Sequence, residues 1–158
     1  MKKLFAKCTL LLLLAGFAII SSSFKNETVQ NSSKKENIMK QSVQFNGKMK
    51  LNISNGINGT GEASHIGSFT LSAQDDETNF PFITGTVVIT AANGDQVFAT
   101  HTGFAMELGN NMLQVDFDNT ITGGTGRFEE ASGSFEIHAM VNETLSTGNA
   151  TLDGNISY

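Results

Sequence analysis

The sequence predicts an all-β domain, an antiparallel barrel or sandwich, and three observations carry that reading. From Gln41 onward apolar and polar residues alternate with period two. The alternating runs are short and end in turn residues, of which Asn93-Gly94-Asp95 is the strongest, because Asn-Gly tolerates the positive φ angles of a tight hairpin. No amphipathic helical period of useful length occurs in the same region.

The strands follow in order. Val43, Phe45, Gly47, Met49, Leu51 and Ile53 alternate with polar residues and give the first. A second runs from Ser64 to Ala73, with His65, Gly67, Phe69 and Leu71 on one face. Phe82–Ala91 and Gln96–Met106 flank the Asn-Gly turn as a hairpin. Met112–Asn119 follows the turn Gly109-Asn110-Asn111. Ser134–Val141 and Asn149–Tyr158 complete seven strands, and an eighth is expected around Asn119–Thr122. The single proline, Pro81, stands at a strand start, where its missing N–H does least harm. Glycines within strands (Gly47, Gly67, Gly85, Gly103, Gly154) suit the sharp bending of a small barrel. Closure also removes sticky edges, and a barrel of about eight strands either fills itself with side chains or holds one small ligand.

The amino terminus sets the expected compartment. Lys2, Lys3 and Lys7 precede an apolar run of thirteen residues, Cys8–Ile20, and then Ser21-Ser22-Ser23. That order matches a secretory signal peptide over residues 1–23. The run is short of the roughly 20 residues that span a bilayer, so no stable membrane span is expected. The expected address is secreted or periplasmic. Residues 24–40 are polar, without period, and read as a flexible leader; the barrel domain is expected over 41–158. The sole cysteine, Cys8, leaves with the signal, so the mature domain relies on core burial and hydrogen bonds rather than disulfides.

Charge excludes one class of partner. Phe24–Lys50 holds six lysines against two glutamates, a net of +4; Leu51–Tyr158 holds only Arg127 against thirteen acidic residues, a net of −12. No basic stripe exists to displace counterions from nucleic acid.

The glycine-rich stretch Ile121–Ile137 invites a phosphate-loop reading, but Gly126 is followed by Arg127-Phe128 rather than Lys-Ser, and no strand-to-helix unit surrounds it. A structural corner fits better. Gly123, Gly124 and Gly126 allow unusual backbone angles, Phe128 plugs a barrel end, and the chain re-enters as a strand at Gly133. The stretch Ile121–Phe135, with its Gly-Gly-Thr-Gly-Arg-Phe and later Gly-Ser-Phe, resembles a signature of the allene oxide cyclase-like barrels and is related to one in dirigent proteins. Gly59–Thr70 is similar to a second motif of small secreted bacterial members of that group. The resemblance implies an eight-stranded calycin-like barrel and assembly as a homo-oligomer, a trimer. It carries no catalytic residue onto this chain.

Parity of side chains predicts the lumen. Phe45, Phe69, Phe98, Phe104, Phe117 and Phe135 are the expected lumen and ligand-binding residues. In Gln96–Met106 the large residues Phe98, Phe104 and Met106 set the inward face, which places His101 outside. Asp116, Asp118, Glu136, His138, Asp153, Lys48 and Lys50 fall outside too. Only His65 shares parity with lumen residues, which makes it the candidate catalytic residue. General acid–base work usually needs a positioned pair, and metal ligands must converge on one side. No metal and no cofactor are therefore expected. The expectation is a non-enzymatic exported barrel that binds a small apolar ligand or acts through its surface. The alternatives are a cyclase or isomerase of an apolar substrate and a dirigent-like oligomeric interaction protein.

Overall fold

The computed structural model describes residues 40–158, so the expected signal peptide and most of the leader lie outside the described residues. Eight antiparallel strands form one closed meander: β1 (Ser42–Asn52), β2 (Ile57–Ala63), β3 (Gly67–Asp76), β4 (Phe82–Ala91), β5 (Gln96–Gly109), β6 (Met112–Gly124), β7 (Ser132–Asn142) and β8 (Thr147–Ser157). Each strand pairs with its sequence neighbour, and β1 closes the ring on β8 through the register Gly47↔Leu152. Inward positions are apolar and buried, among them Phe45, Leu71, Ile89, Leu152 and Ile156. Outward positions such as Lys48, Thr60, Glu136 and Asp153 are exposed. That polarity is the reverse of a membrane-spanning barrel, whose outer band is apolar. None of the helices among the described residues is long and apolar enough to cross a membrane.

Two strand expectations are corrected. The eighth strand is β2, not Asn119–Thr122, which continues β6. Ser64–Ile66 is a turn, and β3 begins only at Gly67. The physical reason lies in how a narrow barrel fills. Gly59 and Gly61 occupy inward positions of β2, and their neighbours across the sheet are Leu51 and Leu71, and Met49 and Phe69. A Cβ on Gly61 would meet the Met49 Cβ at 2.8 Å. The strand's apolar face is thus supplied largely by the flanking strands, and its own inward set, Ile57, Gly59, Gly61 and Ala63, is mostly too small to stand out as one.

One end of the barrel is closed by the corner after β6. A single 3₁₀ turn, Gly126–Phe128, tucks Phe128 inside with no exposure. Its ring meets Tyr158 edge-on at 5.0 Å, and the Arg127 guanidinium lies 4.5 Å from its centroid. Arg127 also donates to the Ile66 carbonyl at 3.3 Å, tying the β2–β3 turn to the plug. Gly126 has φ +58, and a Cβ there would run into the Asp95 carboxylate. The positive φ favours glycine there.

Candidate functional sites on the two faces of the barrel wall

The lumen candidates divide. Phe45, Phe69 and Phe135 are buried inside, and Phe117 is half-buried there. Phe98 and Phe104 are corrected to the outer face: the inward set of β5 is Val97, Ala99, His101, Gly103 and Ala105. Ala99, Gly103 and Ala105 in that set are small, and at Gly103 a side chain of the neighbouring strand fills the space. A Cβ on Gly103 would strike the Phe117 ring. His65 is corrected as well. It sits exposed on the β2–β3 turn with φ +65, away from any lumen position.

His101 is the histidine inside. Its side chain is 3% exposed, and its Nε2 lies 3.1 Å from Oδ1 of Asp75, whose side chain is 5% exposed. The register explains how they meet. Asp75 on β3, Gly85 on β4, His101 on β5 and Asn119 on β6 stand side by side in one row around the inner wall. Gly85 leaves a gap between its neighbours: a Cβ there would come within 2.8 Å of His101 Nε2. The Phe117 ring packs edge-on against the imidazole at 4.9 Å. The 3.1 Å contact is an ion-pair distance, but it lies off the direction a hydrogen bond needs. Both Asp75 oxygens, His101 Nε2 and Asn119 Oδ1 are therefore buried without hydrogen-bond partners. Such groups are rare in folded proteins, and each one costs about 1–3 kcal/mol. Beside them lies a cavity of about 30 Å³, bounded otherwise by hydrocarbon from Met49, Leu71 and Val87.

A second Asp–His pair stands on the outer wall. His138 Nδ1 lies 2.9 Å from Asp116 Oδ1, and its Nε2 lies 3.3 Å from Glu136 Oε2. The hydrogen bond to Asp116 comes first among the causes that raise the His138 pKa above its ordinary value. Asp116 moves the other way, held down by His138 and then by the Gln114 amide, which donates to it at 2.9 Å. Around this pair the outer face is concave. One hollow of about 1060 Å³ includes Asn46, Lys48, Glu62, Asp118, Glu136 and Asp153 in its lining. An adjoining hollow of about 400 Å³ shares Asp118, Glu136 and His138 and is walled by Phe82 and Phe104. Asp118, Glu136 and Asp153 are direct neighbours on β6, β7 and β8. Like charges placed so are destabilising. Phe82 and Phe104 form an exposed edge-on pair with centroids 5.4 Å apart.

Among the described residues no cluster of three or more His, Cys, Asp or Glu is arranged to hold a metal ion. The acidic outer row was legible from alternation. The inner Asp75–His101 pair was not, although the register of Gly85 is its structural cause. Comparison with protein-family models, with curated proteins and with solved structures finds no match.

Proposed function

We propose that the chain is an exported binding module that acts through the outer face of β4–β8 and takes cationic groups on hydrocarbon stems, such as the lysine and arginine side chains of a partner. The observation that carries this is a contrast of volumes. Ligand pockets usually run from about 300 to 1,000 Å³. The outer hollows reach that scale, whereas the lumen holds a cavity of about 30 Å³. This contrast supports an occupant on the outer face over an apolar ligand in the lumen.

The chemistry of the outer face supports a cationic occupant. Asp116, Asp118, Glu136 and Asp153 present four carboxylates, offset nearby by Lys48 and His138. Phe82 and Phe104 are 62% and 46% exposed, and they offer ring surface to a guanidinium or ammonium and its methylenes. Neighbouring carboxylates relieve their repulsion when a cation docks between them.

The test is titration of an acetylated tetra-arginine amide into the protein at low ionic strength by calorimetry. Binding is expected, and it should weaken as salt is added because the charges are exposed. The double variant Asp118→Asn/Glu136→Gln should lower affinity at least about tenfold, a loss of about 1.4 kcal/mol. No binding by the wild-type protein at low salt removes the reading.

A further inference from the structure

The polar cluster inside the barrel plays no part in the outer face, and it has its own unmet chemistry. Asp75 contributes two unpaired oxygens and Asn119 one, against the single unpaired nitrogen of His101. Asn119 already gives an amide N–H to the Phe117 carbonyl at 3.3 Å, which leaves its oxygen as the free group. In either tautomer of His101, acceptors outnumber donors. Among the described residues the basic side chain that lines the cavity is His101, and the one nitrogen it turns toward Asp75 leaves acceptors in excess. A carboxylate in hydrocarbon surroundings is costly unless a positive charge accompanies it. The space beside it, about 30 Å³, is about twice what a single water needs, room for a guest of one or two heavy atoms.

We propose that this cavity is a binding site for a small ammonium-type cation, ammonium or methylammonium. Such an ion donates N–H bonds to Asp75 and to the Asn119 oxygen, and its charge balances the carboxylate. The site selects by three properties together. A divalent metal such as calcium takes six to eight oxygens, and only three are present. Tetramethylammonium has the charge but no N–H and too much bulk. Methanol has the size and a donor but no charge.

The proposal is tested with the full chain in parallel thermal melts and amide NMR spectra at matched ionic strength. The additives are ammonium, methylammonium, sodium and tetramethylammonium chlorides, with methanol as a neutral arm. Ammonium and methylammonium are expected to raise the melting temperature saturably, as binding to the folded state alone requires. They are also expected to shift the Asn119 side-chain amide signals. Sodium and tetramethylammonium are expected to do neither. Asp75→Asn should weaken the ammonium response at least tenfold. Val87→Ile, which adds a methylene to the cavity lining, gives a second variant that keeps every polar group and should also suppress the response. An equal response to sodium would mean simple screening of the acidic surface and overturns the proposal. A response to methanol matching that to ammonium would assign the cavity to a neutral hydroxyl or water, and it overturns the proposal too. So does the absence of any saturable response to ammonium in the wild-type protein.

Discussion

The barrel carries two Asp–His pairs on opposite sides of one wall. Asp75–His101 faces inward with an N···O distance of 3.1 Å, and Asp116–His138 faces outward at 2.9 Å. Their chemistry is the same and their surroundings are opposite. The outer pair is about half exposed, accepts a hydrogen bond from Gln114 at Asp116, has Glu136 Oε2 beside His138 Nε2, and has solvent for whatever is left over. The inner pair is almost wholly buried, and its spare oxygens meet hydrocarbon. The difference teaches that separation alone says little about an ion pair. Burial decides whether breaking it is expensive or nearly neutral.

The largest effect is expected from breaking the inner pair on one side only. His101→Leu leaves the Asp75 carboxylate buried alone, and removal of one partner of a buried pair typically costs about 3–5 kcal/mol. Replacing both, as Asp75→Leu/His101→Leu, removes the orphaned oxygens along with the ring and should recover most of that loss. Urea unfolding of the two variants measures the contrast. If the double variant is no more stable than the single one, the unpaired carboxylate is not the source of the cost.

A smaller effect is expected at the glycine that lets the inner pair form. Gly85 stands between Asp75 and His101 in the row, and an added methyl would meet the Gln74 carbonyl as well as His101 Nε2. The carbonyl belongs to the paired backbone and cannot swing aside. Gly85→Ala should therefore cost about 1–3 kcal/mol, the range of overpacked cores. The same row offers a control. Gly154 separates Phe45 and Phe135, whose rings meet edge-on at 5.4 Å. Gly154→Ala should destabilise by a similar amount without changing the environment of His101. Imidazole NMR signals of the two variants separate these outcomes: a shift at His101 is expected for Gly85→Ala alone.

These rows also explain what the sequence made legible. Alternation in β1, β6, β7 and β8 exposes their inner faces plainly, because Phe45, Val115, Phe135 and Leu152 are large and point inward. The all-β class and the corner at Gly123–Gly133 follow from signals of that local kind. β2 and β5 hide theirs. Their inner positions are small where large side chains of neighbouring strands lie over them, so hydrophobic size points to the wrong face in β5 and to no face in β2. His101 was misplaced for that reason, and His65 took its role by default. Pairing register is a property of two strands, and no single strand's composition contains it.

The smallest effect is expected at the outer pair, where pH does the work of a mutation. His138 has a raised pKa in the folded state, chiefly through its bond to Asp116. Its contribution to stability is complete below histidine's ordinary range and fades as pH rises through the raised value. Asp116 has a lowered pKa, so its share persists until pH falls through that lower value. The pair therefore stabilises most between the two. With His138 half exposed and solvent screening strong, the gain is a few tenths of a kcal/mol, in the range of exposed pairs at about 0.2–1 kcal/mol. Unfolding free energies compared at about pH 5.5 and pH 8, on either side of the ordinary histidine value, measure it. Asp116→Asn should shrink the difference between those two pH values, and added salt should shrink it further. An undiminished difference in that variant would place the source of the pH dependence outside the Asp116–His138 pair, and the contrast between the inner and outer pairs would lose its outer half.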